Sequence, residues 1–207
     1  MSIKPKLLLP VLAAILSIGA LSAANADDVM CSDFGGIIPE GDHNYDIIVD
    51  CDCLVDRNAN VYGNVIEPGD TGWSITVDPE GYVSGNIEEK GDGYVYLTVG
   101  HGRLHTGNIV EEGNGYVLVL VDGVFDGSVE EQGNGDLVIH VFGPFPAGGP
   151  GYYTGKAEER DGGDAALAID AGAIGYNGDL EEKGGGTCLL DIFPPDFQPP
   201  IGKIECD

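Results

Sequence analysis

One stretch of this chain is written twice. Gly85-Asn86-Ile87-Glu88-Glu89-Lys90-Gly91-Asp92-Gly93-Tyr94-Val95 is followed, 22 residues later, by Gly107-Asn108-Ile109-Val110-Glu111-Glu112-Gly113-Asn114-Gly115-Tyr116-Val117. Fainter copies lie on both sides, and their leading glycines are Gly63, Gly85, Gly107, Gly127, Gly155 and Gly178, at spacings of 22, 22, 20, 28 and 23 residues. Periods of this size belong to solenoids, propellers and arrays. Two residues after each anchor stands Val65, Ile87, Ile109, Val129, Ala157 or Leu180. Ten residues after the last five anchors a second run begins at Val95, Val117, Leu137, Ala165 and Cys188, with apolar residues at every second position thereafter. In the first copy the turn Pro68–Gly72 holds two extra residues, which aligns Ile75 and Val77. A period of two means strands with one face toward a core. Each copy therefore reads as two short strands joined by glycine-rich turns.

Two all-β architectures satisfy that pattern. In a parallel β-helix of about six rungs with capped ends, each copy is one rung and equivalent residues stack about 4.8 Å apart. In an antiparallel meander or sandwich, Asp92-Gly93, Asn114-Gly115 and Asn134-Gly135 are hairpin turns. The β-helix is favoured because the columns hold like residues. Asn64, Asn86 and Asn108 form an Asn ladder of the kind that stabilises stacked strands, and the anchors form a glycine column suited to close backbone approach.

The V-x-G-N-V/I unit, as in Val61-Tyr62-Gly63-Asn64-Val65 and Val83-Ser84-Gly85-Asn86-Ile87, resembles exported bacterial β-helix repeat proteins. It is more distantly similar to bactofilins, which polymerise through β-helix ends. The resemblance covers about residues 45 to 192. It implies a right-handed parallel β-helix and brings no catalytic residues with it. Bactofilins are intracellular and have shorter rungs, and this chain departs from them on both counts.

Residues 1–26 read as a signal peptide: Lys4 and Lys6, an apolar run from Leu7 to Leu21, then Ala24-Asn25-Ala26 as a small-residue cleavage site. The run is too short to span a bilayer comfortably, no second run exists, and no lipid-anchor motif precedes Cys31. The mature chain is expected to be exported, without membrane insertion, to the periplasm, the cell surface or the medium. It then carries 7 basic and 35 acidic residues, and 7 − 35 gives −28. Such a charge argues against nucleic acid and anionic membrane as partners, since phosphate binding needs clustered Lys and Arg. Residues 27–60 form an N-terminal cap with one strand rung, Tyr45–Cys51. Residues 61–192 form the six-copy domain with an insert loop at 142–153, and the Pro-rich tail 193–207 runs extended along the surface. Five cysteines in an exported chain read as a disulfide framework with one left over. Pairing Cys31 with Cys53 and Cys188 with Cys206 staples each solenoid end. Cys31 with Cys51 is almost equally possible. Otherwise Cys51 is free or intermolecular, and self-association runs through it or through the solenoid ends.

The sharpest chemical signal is acidic. Four residues after every anchor stands Glu67, Glu89, Glu111, Glu131, Glu159 or Glu182, and a second acid precedes it at Glu88, Glu130, Glu158 and Glu181. Stacked carboxylates 4.8 Å apart repel by about 0.9 kcal/mol in water. The glutamates therefore either splay into solvent, as a charged edge that blocks lateral sheet association, or hold cations between them. Calcium is the cation that carboxylates with turn carbonyls suit. His101 and His105 have no partner at zinc spacing, and no nucleophile-elbow, Walker or dinucleotide motif occurs. Arg57, Arg103 and Arg160 are scattered over different copies, which argues against a polysaccharide lyase. Phe145, Tyr152 and Tyr153 in the insert are candidates for binding a glycan or a surface protein. The function expected is a non-enzymatic exported structural or surface solenoid: a spacer, adhesin or matrix component without a required cofactor. The alternatives are a calcium-responsive module built on the glutamates and a carbohydrate-active enzyme.

Overall fold

The computed structural model describes residues 28–69, 71–101, 103–143, 150–193 and 202–206. The signal-peptide segment, Phe145 and most of the proline-rich tail lie outside them. The chain winds as a parallel β-solenoid of about seven turns. A first sheet of nine strands and a second of eight run its length. The third face is divided into one sheet of three strands and one of four. The first sheet runs from Val29–Met30 through Ile87–Glu89, Ile109–Glu111, Val129–Glu131, Lys156–Glu159 and Asp179–Glu182 to Ile204–Cys206. The second runs from Ile37–Ile38 through Tyr94–Val99, Tyr116–Val121 and Leu137–Val141 to Cys188–Ile192. Every strand pair is parallel, and the register puts each residue over its equivalent in the next copy: Ile87 on Ile109, Glu89 on Glu111, Val95 on Val117.

Alternation decides what goes inside. In Tyr94–Val99 the odd positions are buried and the even ones face out, and the same holds in Tyr116–Val121. Stacked Val, Ile and Leu columns such as Ile75, Val95, Val117, Leu137 and Ala165 fill the interior. The outward residues of the second sheet are mostly apolar too, among them Tyr96, Leu118, Leu120 and Val138, all half-buried. At the corner entering the first sheet the Asn ladder closes each rung onto its neighbour. Asn64 Oδ1 accepts from the Asn86 N–H (2.9 Å), Asn86 Oδ1 from Asn108 (3.3 Å) and Asn108 Oδ1 from Ser128 (3.2 Å).

Each turn contains three strands rather than two. The third is short, as in Leu104–Thr106, Val124–Asp126, Tyr152–Thr154 and Gly175–Tyr176. Leu104–Thr106, Val124–Asp126 and Tyr152–Thr154 each send a single buried residue inward, which leaves no alternation to detect from sequence. Those residues form an aromatic column, His105 on Phe125 on Tyr153 on Tyr176, with ring centroids 5.1, 4.9 and 4.9 Å apart. The insert loop is correspondingly shorter than residues 142–153, because Tyr152 and Tyr153 belong to a strand. Two other expectations are corrected. The N-terminal region adds strands to all three faces, and the tail, instead of staying off the ladder, returns as Ile204–Cys206 to pair with Leu180–Glu182. Cys31, in the short 3-10 helix Cys31–Phe34, bonds to Cys53 in the next turn, and Cys188 bonds to Cys206 in the rung that follows it, so each end is stapled to its neighbouring turn. Cys51 is free and half-buried.

Candidate functional site: two glutamate columns on opposite sides of one sheet

Glu67, Glu89, Glu111, Glu131, Glu159 and Glu182 form a column, but not a solvated edge. All are buried, with Glu89, Glu111, Glu131 and Glu159 at 0 % exposure and Glu67 and Glu182 at 1 %. The parity of the strand dictates this: Glu89 follows the inward Ile87 by two residues, so it faces inward as well. Each carboxylate ends at the glycine-rich corner between the first and second sheets and accepts hydrogen bonds from that corner's backbone. Gly91 and Gly93 N–H donate to Glu89 Oε1 at 3.0 and 3.3 Å. Gly113 and Gly115 serve Glu111 at 2.9 and 3.2 Å, and Gly133 and Gly135 serve Glu131 at 2.9 and 3.3 Å. Asp161, Gly162 and Gly163 serve Glu159, and Gly184, Gly185 and Gly186 serve Glu182. Glu67 closes the series with both oxygens engaged, by Gly69 N–H at 3.1 Å and by the Thr71 hydroxyl. Glutamate here does what a turn residue does elsewhere: it collects N–H groups that the corner would leave unpaired.

Only one oxygen of each inner glutamate beyond Glu67 is used. Oε2 of Glu89, Glu111, Glu131, Glu159 and Glu182 is buried without a hydrogen-bond partner. Burial, and then the neighbouring carboxyl of Glu111, pushes Glu89 up to about 7; burial and Glu131 push Glu111 up to about 7. Burial raises Glu131 as well. At Glu182 burial is outweighed by its three N–H donors, which hold it below the ordinary range. Calcium asks for six to eight oxygen ligands, and among the described residues no three His, Cys, Asp or Glu side chains are arranged to hold a metal ion.

The outer face of the same sheet carries the second acid row, and the basic residues gather there. Glu158 is bound by Lys156, by Arg160 at 3.1 Å and by Lys183 at 2.6 Å; Arg160 also reaches Glu130 at 2.6 Å. Lys156 and Lys183 bind Glu181 at 3.1 and 2.7 Å, Lys90 lies 3.6 Å from Glu88 and Lys203 lies 2.5 Å from Glu205. Burial opposes ionisation of Glu158, but Arg160, Lys156 and Lys183 override it and bring it down to about 2. Arg160 is thus a pairing residue of this row. Arg57 holds Glu80 (3.1 Å), and Arg103 reaches back to Asn58 (3.2 Å).

The remaining candidates separate cleanly. Tyr153 is not a surface binding residue: it is 0 % exposed in the aromatic column, and its hydroxyl donates to the Lys156 carbonyl at 2.9 Å. Tyr152 is its half-buried outward neighbour. His105 is buried, and burial pushes it down to about 4, so it is a neutral core residue. His101 lines a shallow groove with Arg103, Leu104, Asp122, Val124 and Pro150. General acid–base work needs a carboxyl or imidazole within reach of a substrate proton; the inner glutamates are sealed from solvent. No protein-family model matches the chain, and neither a curated protein nor a solved structure shows significant similarity to it.

Proposed function

We propose that the chain is a non-enzymatic exported structural protein, a rigid acidic rod that serves as a surface spacer or matrix component. The observation that carries this reading is the closure of the rod. Nine strands stacked at about 4.8 Å span about 38 Å of continuous ladder, and a disulfide staples the turns at each end. Solenoid ends otherwise expose unpaired strand edge and core, which invites fibre growth; stapled ends favour a rod of defined length. Two disulfides also fit an oxidising compartment outside the cytoplasm. The carboxylates are committed to structure, six to corners and most of the outer row to basic partners.

Fractionation of cells producing the full chain tests this. The protein is expected outside the cytoplasm, with four of its five cysteines resistant to thiol reagents until reduction, and without turnover on a broad panel of glycans. A reduced cytoplasmic protein, or glycan turnover abolished by a single Glu→Gln change, overturns the proposal.

A further inference from the structure

We infer that Glu89, Glu111 and Glu131 form a buried proton-binding site, in which neutral carboxyl groups pass hydrogen bonds from rung to rung along the solenoid axis. The three stand in strict register, Glu89 on Glu111 on Glu131, and none is exposed to solvent. On each, Oε1 is occupied by two turn N–H groups while Oε2 has no partner. An unpaired buried acceptor is costly, and more so when charged. The neighbouring carboxyl is the polar group placed to complete each one, since Glu89 stacks one rung from Glu111 and Glu111 one rung from Glu131, at the ~4.8 Å strand spacing. Two carboxylates at that range repel; a proton between them turns the repulsion into a hydrogen bond, as in other carboxyl pairs that share a site. Three carboxyls joined by two such bonds need two protons.

The groups around the site leave this solution open. Inward neighbours on the first sheet are Ile87, Ile109 and Val129, and those on the second sheet are Val95, Val117 and Leu137. The third face contributes Phe125, Tyr153 and His105, the last neutral. Within the column the flanking acids are Glu67, with both oxygens engaged, and Glu159, whose Oε1 takes three corner N–H groups rather than two while its Oε2 is open like the others. Lys90 and Arg160 are outside, paired with Glu88 and with Glu130 and Glu158, and Asp92 and Glu112 are exposed. Among the described residues no inward base neutralises the column. A metal ion is served poorly, because the corner aims N–H donors at the carboxylates and the apolar walls supply no further oxygens; a proton needs only two. The folded-state pKa values are raised, so the stabilisation is fully present below the ordinary glutamate value of about 4.3 and is lost as pH rises through about 7.

Infrared spectroscopy of the full, disulfide-bonded chain tests the inference directly. A protonated-carboxyl C=O band worth about two groups is expected at about pH 6, where exposed Asp and Glu are ionised. It should disappear by about pH 8 and be absent from the Glu89→Gln/Glu111→Gln/Glu131→Gln variant, while the exposed control Glu112→Gln keeps it. Melting temperature should fall between about pH 5 and pH 8, with a slope flattened by Glu111→Gln and unchanged by Glu112→Gln, which separates the column from general charge repulsion. A wild-type spectrum without that band at about pH 6 overturns the inference even if the variants do not fold. So does a calcium-specific rise in melting temperature, beyond matched sodium chloride, that Glu111→Gln removes. This experiment is independent of where the protein resides.

Discussion

Replacing Gly113 by alanine tests whether the corner is built on backbone contact. A Cβ at Gly113 would lie 1.3 Å from the Gly91 carbonyl oxygen of the rung before, where real Cβ atoms stay at least 3.0 Å away. The two must separate by 3.0 − 1.3, or 1.7 Å, so the corner has to move. At stake are Gly113 and Gly115 N–H to Glu111 Oε1 (2.9 and 3.2 Å) and Asn134 N–H to the Gly113 carbonyl (3.3 Å). At about 1–1.5 kcal/mol each these are worth about 3–4 kcal/mol. Restricting the unfolded chain returns about 0.4–1 kcal/mol, so Gly113→Ala is expected to cost about 2–4 kcal/mol. Gly69 is the control: it lies in the equivalent corner of the first copy, yet a Cβ there meets nothing within 4 Å. Gly69→Ala should therefore stay within about 0.5 kcal/mol of the parent. Urea unfolding followed by circular dichroism at fixed pH measures both. A Gly113→Ala variant within about 1 kcal/mol of the parent, or an equally damaging Gly69→Ala, would refute close backbone contact as the basis of the corner.

Two further outcomes follow from residues that sequence alone placed differently. Tyr153→Ala should cost about 3–5 kcal/mol, as a large core ring does, whereas Tyr152→Ala, on the outer side of the same strand, should cost far less; equal effects in thermal unfolding would return Tyr153 to the surface. Glu158 should show pH dependence opposite to that of the inner column. Its folded-state pKa is lowered to about 2, so its stabilisation is present above the ordinary glutamate range and is lost as pH falls toward about 2. Glu158→Gln should lower the melting temperature at neutral pH, the two curves should converge in acid, and a constant gap would refute the triple pairing with Lys156, Arg160 and Lys183.

The solenoid was legible in the sequence because stacking equivalent residues in register leaves columns, and columns can be read from repeats. Ile87, Ile109 and Val129 were enough to give the first sheet, and Val95, Val117 and Leu137 the second. The third face was hidden because one inward residue per strand makes no pattern, and His105, Phe125, Tyr153 and Tyr176 share little beyond a ring. The inner glutamates are legible as a column, but neither a solvated edge nor a cation-bridged row is the burial they show. Charge argued for solvent while strand parity argued for the core, and parity wins because glycine corners supply N–H groups in place of water. The outer ion pairs are legible only in part: a spacing of two puts Lys156, Glu158 and Arg160 on one face of a strand, but Lys183 reaches Glu158 from the next rung, which only the stacking reveals.

The two corners that flank the second sheet differ in what they allow the protein to become. From anchor glycine to the end of that sheet the distance is 14 steps in each of five copies, Gly85 to Val99, Gly107 to Val121, Gly127 to Val141, Gly155 to Ile169 and Gly178 to Ile192. The corner with the glutamates and close-packed glycines lies inside that constant span. Between the second sheet and the third face the length varies: Val99 to Leu104, Val121 to Val124 and Val141 to Tyr152 are 5, 3 and 11 steps. A guest peptide grafted after Val121 or Val141 would therefore project from the rod without disturbing its register. The same graft beside Gly113 would break the ladder. Apart from the two extra residues at Pro68–Gly72 in the first copy, the variable lengths lie on this one ridge, away from the glutamates.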